Sequence, residues 1–267
     1  MMLKPLPSLL ALCLALGGCA GLPADHGTGL AGAGDSPQAI AAAVDPSLRA
    51  AAAAAEAAHD YKGAIQRLQT LHQRHPDDKS LAIALARNLR FSDQGQAGAG
   101  LMQTQLTFQP NDPELLLEMA KDYLSADREH LAVQTLARAK AAAPPQWPGL
   151  WEVYSTLGVA VDTEGHTDEA LQDFAEAARL SPKNPAVLNN LALAQAVNGQ
   201  MDQAITTLTQ AADLPDAGMQ VRQNLALLTA LKGDGGRAAR LVRHDLSPQA
   251  ERANAEVFRD LAANSDQ

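Results

Sequence analysis

The side chains that most often carry chemistry in proteins are sparse in this chain, and they do not form a catalytic pattern. His72 and His75, with His59 nearby, could lie close together, but no third ligand has the spacing of a metal site. The glycine-rich stretch at residues 233–236 lacks the lysine and the preceding strand of a phosphate-binding loop. We therefore predict solvated surface histidines, a turn at 233–236, no cofactor and no enzymatic activity.

A cysteine near the N-terminus offers a different chemistry, that of lipid attachment. Lys4 precedes an apolar run at residues 6–18, which is too short to cross a bilayer as a helix and has the layout of a secretory signal peptide. The run leads into Leu-Gly-Gly-Cys at residues 16–19, which resembles the bacterial lipobox. That resemblance implies removal of residues 1–18 and acylation of Cys19. An ordinary signal peptide with an incidental cysteine is the alternative.

Acylation would hold the mature chain on a membrane, because each buried methylene contributes about 0.8 kcal/mol and two or three chains add up. Ala20, and not aspartate, follows the cysteine, which in Gram-negative lipoproteins implies export to the outer membrane, here on its periplasmic face. Cys13 lies in the predicted leader, so the mature chain can form no internal disulfide. Residues 19–44 are predicted to be the lipidated cysteine and a flexible, glycine-rich and alanine-rich tether. The alternative for residues 38–44 is that they extend the first helix.

Small residues recur through the rest of the chain at a fixed spacing. The two series are Ala52, Ala86, Ala120, Gly158, Ala192 and Ala226, and Ala64, Gly98, Ala132, Ala170, Ala204 and Ala238. In both series the steps are 34, 34, 38, 34 and 34 residues. A 34-residue period with small residues at the eighth and twentieth places is typical of the tetratricopeptide repeat, in which two antiparallel helices touch where side chains are smallest.

This period predicts an all-α solenoid of six helix-turn-helix repeats with a C-terminal capping helix. Glycines at the fifteenth place, such as Gly199, should end the first helices, and prolines such as Pro182 should end the second. Asp45-Pro46, Asp112-Pro113 and Asn184-Pro185 each read as an N-cap and a first helical residue. The predicted repeats are 45–78, 79–112, 113–150, 151–184, 185–218 and 219–246, followed by the cap and tail at 247–267.

Several places depart from the pattern. Four extra residues near 144–148 should break the solenoid into two halves of three repeats. Trp147 and Trp151 should fill the core there, and stacking on a ligand is the alternative role for them. Gly98 and Gln105 stand where residues that pack better are usual, which predicts low stability of the second repeat. Asp245 predicts low stability of the sixth repeat for the same reason. The capping helix, near residues 247–263, should cover the last apolar face. Its predicted contact side consists of Ala250, Ala253, Val257 and Leu261.

Composition narrows the choice of partner. A formal net charge of −9 disfavours nucleic acid, and an aromatic content of 3 % disfavours base stacking. In this repeat the first helices line a concave groove through their second, fifth, ninth and twelfth places. The candidate groove residues are Arg87, Arg90, Lys121, Glu152, Ser155, Asp162, Asn189 and Gln223. We expect a groove that is basic at its N-terminal end and that binds an extended or helical segment of a partner protein. Mere solvation of the concave face is the alternative.

Three segments carry a resemblance to a known family. They are Tyr-Ser-Thr-Leu-Gly-Val-Ala at 154–160, Ala-Val-Leu-Asn-Asn-Leu-Ala-Leu at 186–193 and Val-Arg-Gln-Asn-Leu-Ala-Leu at 221–227. With the lipobox and tether, they resemble the TadD family, lipoproteins of the tight-adherence (Flp) pilus assembly system. The resemblance implies a pilotin-like or scaffold role near the outer-membrane secretin, with secretin or other pilus-assembly subunits as partners. The alternative is a general envelope adaptor that recruits peptidoglycan hydrolases or proteases.

Overall fold

The computed structural model describes residues 37–243 and 248–264, and every regular element in these ranges is an α-helix. The helices form six antiparallel pairs and one terminal helix. The first helices of the pairs are α1 (Pro37–Ala57), α3 (Lys79–Phe91), α5 (Pro113–Leu124), α7 (Leu150–Thr163), α9 (Pro185–Val197) and α11 (Met219–Leu231). The remaining helices are α2 (Tyr61–Arg74), α4 (Gly95–Phe108), α6 (Glu129–Ala142), α8 (Thr167–Leu180), α10 (Met201–Ala212), α12 (Gly235–Leu241) and the terminal α13 (Pro248–Asn264).

The small residues lie where the two helices of a pair touch, as the period predicts. Ala64, Ala132 and Ala170 are fully buried at the twentieth place. In the fourth repeat, a Cβ atom on Gly158 would stand 2.8 Å from the ring of Phe174, so only glycine fits beside that ring. Close helix approach at these places leaves few voids, which is how alanine-rich helices can build a dense core.

The turn inside each pair is made by one residue with positive φ. Glycine has this conformation in the last three repeats, where φ is 86° at Gly165, 77° at Gly199 and 92° at Gly233. The first three repeats use other residues at the same place, with φ of 57° at His59, 58° at Asp93 and 53° at Asp127. His and Asp are among the side chains that tolerate this region best, although at a higher cost than glycine.

The first helix includes residues 38–44, as the alternative interpretation of that stretch allows. Helix α1 starts at Pro37, within the predicted tether, and continues through Pro46. The predicted N-cap role of Asp45 is therefore wrong, because the alanine-rich sequence on both sides sustains the helix. Asp45 is buried instead, accepts a hydrogen bond from Arg74 Nη1 at 2.6 Å and lies 2.5 Å from His75 Nε2. The hydrogen bonds from His75 and Arg74 lower the pKa of the Asp45 carboxyl. The other two predicted caps, at Asp112 and Asn184, are confirmed.

The junction after the third repeat does not divide the core. One cluster of buried side chains runs from α3 through α6 and continues into α7 at Val153 and Ala160. Trp147 packs against this cluster, whereas Trp151 packs against the cluster of the later repeats. The two tryptophans therefore fill the junction, as predicted. The expected break is absent from the packing, because the seven residues between α6 and α7 still let these helices touch.

The terminal helix caps the sixth repeat through a face that matches the predicted one only in part, at Leu261. Phe258 is buried among Ala226, Ala230, Ala238 and Val242, with Leu261 beside it. Val257 and Ala253, which were expected to face the core, are exposed. The aromatic ring explains the change, since burying Phe258 removes more apolar surface from water than burying Val257 would. Asp245 lies outside the described residues.

Candidate partner-binding face

The first helices of successive repeats contact one another, from α3 to α5, α5 to α7 and α9 to α11. We call the second, fifth, ninth and twelfth places of α3, α5, α7, α9 and α11 the inner face. The eight predicted groove residues all lie on it, but they differ in exposure. Arg87 and Asp162 are exposed, Arg90, Lys121, Glu152 and Gln223 are partly buried, and Ser155 and Asn189 are buried.

A cluster of charged residues joins α3, α5 and α7. Arg90 donates to Glu118 Oε2 at 2.9 Å and to Asp122 Oδ1 at 2.7 Å. Lys121 Nζ lies 2.8 Å from Glu118 Oε1 and 2.7 Å from Glu152 Oε1. Glu118 and Asp122 are buried, with 4 % and 0 % of their surface exposed. These residues, together with Arg87, are the ionic cluster. Most of its charge therefore binds one repeat to the next and is not open to a ligand.

The two buried carboxylates of the ionic cluster respond differently to their surroundings. Burial alone would raise the pKa of Glu118, but Lys121 and Arg90 outweigh that effect and hold its pKa below the ordinary value. Burial raises the pKa of Asp122 to about 7, against the opposing influence of Arg90. The difference has a geometric cause, because Asp122 Oδ2 is buried and has no hydrogen-bond partner.

Asp122 also explains an oddity of the second repeat. A Cβ atom on Gly98 would stand 2.7 Å from Asp122 Oδ2, so the carboxylate occupies the space that alanine fills elsewhere. Gln105, the other predicted defect, is buried and donates from Nε2 to the carbonyl of Pro76 at 2.8 Å. Both residues thus fit specific neighbours, and the expectation of a weak second repeat loses the reasons that were given for it.

Neutral amide groups take the place of charges in the later repeats. Asn224 donates from Nδ2 to Asn189 Oδ1 at 2.7 Å, and Asn190 Nδ2 lies 3.5 Å from Ser155 Oγ. Each pair joins the fifth place of one repeat to the sixth place of the next. Asn189 and Asn190 also line a cleft of about 580 Å³ at the beginnings of α9 and α11. The polar floor of this cleft can exchange hydrogen bonds with a bound polypeptide.

Aliphatic side chains occupy the ninth place in the last three repeats. Val159, Leu193 and Leu227 hold this place, and Val197 and Leu231 lie beside the inner face at the thirteenth place, four residues after the latter two. We call these five residues the aliphatic row. Four of them are exposed, and Leu193 is partly buried. The prediction from sequence named only polar residues of the inner face and therefore missed the aliphatic row. The recurrence of aliphatic residues at the ninth place is a signal that could have identified it.

The remaining sequence candidates do not form a chemical site. Within the described residues, no group of three His, Cys, Asp or Glu side chains is placed to hold a metal ion. His75 contacts Asp45 and His59 packs against the ring of Tyr61. His72 is not a solvated surface residue as predicted, since it is partly buried and burial lowers its pKa. Cys19 lies outside the described residues.

Two further predictions concern the end of the solenoid and the membrane. Gly233 has the left-handed conformation of a repeat turn, and a Cβ atom on Gly235 would stand 2.6 Å from the carbonyl oxygen of Phe258. Within the stretch at 233–236, Gly233 and Asp234 therefore belong to the predicted turn, whereas Gly235 and Gly236 begin α12 under the capping helix. None of the helices in the described ranges is both long and apolar enough to span a membrane.

Fold and inner face together define an all-α solenoid of the tetratricopeptide-repeat type. A family model for the tetratricopeptide repeat matches residues 163–217, which include the turn of the fourth repeat and the whole of the α9–α10 pair. A search of curated protein sequences finds no match.

Solved structures share this fold at low sequence identity. A chain of the APC/C hetero-tetramer Cut9–Hcn1 has a TM-score of 0.65 and 18 % identity, over 82 % of this chain and 42 % of that one. The pilF protein of Pseudomonas aeruginosa has a TM-score of 0.58 and 15 % identity, over 81 % and 89 %. The thermophilic protein TTC0263 of Thermus thermophilus has a TM-score of 0.53 and 23 % identity, over 66 % and 96 %. At these identities the likeness is one of fold.

Proposed function

We propose that this chain is a lipid-anchored scaffold that assists assembly of the Flp pilus and its secretin at the outer membrane. The fold itself is one that serves protein–protein interaction, because stacked repeats expose a long continuous surface. One observation carries the proposal. The inner face displays exposed aliphatic and charged side chains on helices whose backs are fully packed, so it offers a rigid binding surface.

The pilus assignment rests on sequence resemblance. The segments at 154–160, 186–193 and 221–227 supply it, and in the structure they lie on α7, α9 and α11. These three helices carry the neutral amide pairs and the aliphatic row. The amide pairs and the aliphatic row thus lie in the same part of the solenoid as the family-like segments, whereas the candidate residues Arg87, Arg90 and Lys121 lie on α3 and α5.

Membrane attachment is proposed to run through Cys19. The lipobox-like sequence at 16–19 would direct acylation to that thiol, and the new N-terminal amine would be acylated as well. A chain held in this way would present the solenoid close to the periplasmic face of the membrane. Metabolic labelling with a radioactive or clickable fatty acid tests this step. We expect label on the natural chain and none on Cys19→Ser, and equal labelling of both would refute attachment at Cys19.

In-cell crosslinking tests the proposed partnership. The tagged chain, expressed at its natural level, would be crosslinked, solubilised and analysed by mass spectrometry, with an untagged strain as the background control. We expect recovery of the secretin or of a Flp pilus subunit. Recovery of peptidoglycan hydrolases or a protease, without any pilus component, would replace the proposal with the envelope-adaptor function.

A further inference from the structure

The ninth place of the inner face changes its chemistry along the solenoid. It is Arg87 in the second repeat and Lys121 in the third, and it becomes Val159, Leu193 and Leu227 in the fourth to sixth. Contacts between α3 and α5, between α5 and α7 and between α9 and α11, with the cleft shared by α7 and α9, place these five residues one after another in a line along the solenoid. Lys121 is held by Glu118 and Glu152, so Arg87 is the accessible cation at one end of the line, and the aliphatic residues are at the other. A ligand that lies along the line meets both chemistries in a fixed order.

The aliphatic end of the line is open to solvent. The exposed fraction is 41 % for Val159, 40 % for Leu227, 68 % for Val197 and 39 % for Leu231. A cleft of about 200 Å³ lies between α7 and α9 and is lined by Val159, Leu193 and Val197, among others. Covering these side chains with apolar groups is favourable, because it removes their surface from water.

Arg87 supplies the available charge at the other end. Its side chain is 51 % exposed, and its distance to Glu118 Oε1 is 4.0 Å. That oxygen already lies 2.8 Å from Lys121 Nζ, and Arg90 holds the second oxygen of the same carboxylate. Glu118 is therefore largely neutralised by other cations, which leaves the Arg87 guanidinium able to bind a carboxylate of a partner, ideally through two parallel hydrogen bonds.

Asp162 restricts where that carboxylate can lie. Its side chain is exposed and lines the cleft between α7 and α9. Like charges repel at short range, so an acidic residue of the partner is disfavoured over the cleft. Glu152, whose side chain is 38 % exposed, places a second carboxylate on α7, so the position near Arg87 is the more favourable one for the partner's acidic group.

We propose that the inner face binds a segment of a partner protein with aliphatic side chains at one end and Asp or Glu at the other. The aliphatic end covers the aliphatic row, and the acidic end pairs with Arg87. Neighbouring packed helices are roughly 8–10 Å apart, so the line from α3 to α11 spans about 32–40 Å. An extended chain covers that distance with about 10–12 residues. This inference rests on the proposed function only in taking the inner face as the binding face.

Synthetic peptides test the proposal without any knowledge of the natural partner. The probes are fluorescent 15-residue peptides of four designed classes, which combine an aliphatic or a serine half with an acidic or a basic half. Binding to the natural chain is measured by fluorescence anisotropy at low salt. We expect the aliphatic-acidic class to bind at least about tenfold more tightly than each of the other three, which corresponds to one unit in the logarithm of the affinity.

Exposed single substitutions then assign each end. Arg87→Glu should abolish the preference for acidic over basic peptides, and Val197→Asp or Leu227→Asp should abolish the preference for aliphatic over serine peptides. The matched controls lie on second helices. Arg179→Glu on α8 replaces a side chain that is 66 % exposed, and Phe108→Asp on α4 replaces a residue that is 64 % exposed. Circular dichroism confirms that each variant is folded before binding is measured.

Three results would overturn the proposal: equal binding of all four classes, a preference for basic peptides, or controls that lower binding as much as the variants at Arg87, Val197 and Leu227. These results are independent of the pilus assignment. If the peptide preference holds while crosslinking recovers no pilus component, the binding chemistry stands and the pilus function falls. If a pilus component is recovered but peptides show no preference, the reverse conclusion follows.

Discussion

The second and third repeats hold together by a different kind of bond from the fifth and sixth. Between α3 and α5, Arg90 bridges two buried carboxylates. Between α9 and α11, Asn189 and Asn224 share a neutral hydrogen bond on the same face. A buried charge is costly unless every partner is present, whereas a neutral amide loses less when its partner is removed. Substitution of one partner residue should therefore cost more stability at the junction of the second and third repeats than at the junction of the fifth and sixth.

Removing Arg90 should produce the largest difference between the two junctions. Arg90→Met keeps much of the side-chain volume but leaves Glu118 and Asp122 buried with fewer cations. We expect the free energy of unfolding to fall by about 3–5 kcal/mol. The comparison is Asn224→Ala, for which we expect a fall of about 1–3 kcal/mol, since one neutral hydrogen-bond partner is lost. Urea denaturation followed by circular dichroism measures both.

Equal losses in these two variants would show that the junctions do not differ in kind. The expected loss at Arg90 also bears on binding experiments. Charge reversal of Arg87, Arg90 and Lys121 together would confuse unfolding with loss of binding, because two of the three cations support the fold. Arg87 alone is the suitable position, as its side chain is half exposed.

The next largest difference between the two junctions should appear in how the free energy of unfolding depends on pH. The pKa of Asp122 is about 7 in the folded chain, against an ordinary value of 3.8. A carboxyl group with a raised pKa binds its proton more tightly when folded, so its contribution is present below about pH 4 and is lost as the pH rises through 7. The Asp122→Asn variant removes this loss. Between pH 5 and 7 the natural chain should weaken relative to the variant by up to about 1.4 kcal/mol per pH unit.

Asp173 provides a control in the later repeats. Burial raises its pKa as well, but this side chain is only partly buried. Asp173→Asn should therefore change the pH profile less than Asp122→Asn does. Parallel pH profiles for the natural chain and Asp122→Asn would show that Asp122 remains ionised in the fold, paired with Arg90.

The turns between helices should show the smallest effects, in opposite directions. Gly199 has φ of 77°, and a Cβ atom placed on it would have no neighbouring atom within 4 Å, so Gly199→Ala strains the backbone alone. We expect a loss of about 1–2 kcal/mol. Asp93 has φ of 58° at the equivalent turn, and Asp93→Gly relieves that strain. The gain should be only about 0.5 kcal/mol, because glycine also adds entropy to the unfolded chain. Thermal or chemical denaturation of both variants measures the difference, and a stabilised Gly199→Ala would contradict it.

Features that repeat every 34 residues were predictable from the sequence. Small residues mark the same two places in all six units, prolines follow the second helix at the same place in the first four, and glycines form the turn in the last three, so several copies reinforce one another. Features that occur once were harder to predict. The continuation of α1 through Pro46 depends on the alanine content around it, and the choice of Phe258 over Val257 depends on which face of α13 buries more area.

The inner face was predictable as a surface but not as a set of contacts. Phase identifies the side of the helix on which Arg90 and Asn189 lie. It does not reveal that their partners are Asp122 and Asn224, which come 32 and 35 residues later. Pairing across repeats depends on the side chain that a neighbouring unit presents, and a single sequence contains no independent signal for it.

The contact between Gly98 and Asp122 has a consequence for how such a chain can be inherited. Arg90, Gly98 and Asp122 come from two adjacent repeats, so deletion of either unit by unequal recombination would leave a charge without its partner or a gap without its carboxylate. Asparagine-bearing units carry less risk, because the fifth place of one meets the sixth place of the next and the motif can be copied. Gain or loss of whole repeats should therefore be tolerated better among the later repeats. The second and third repeats should be gained or lost only together.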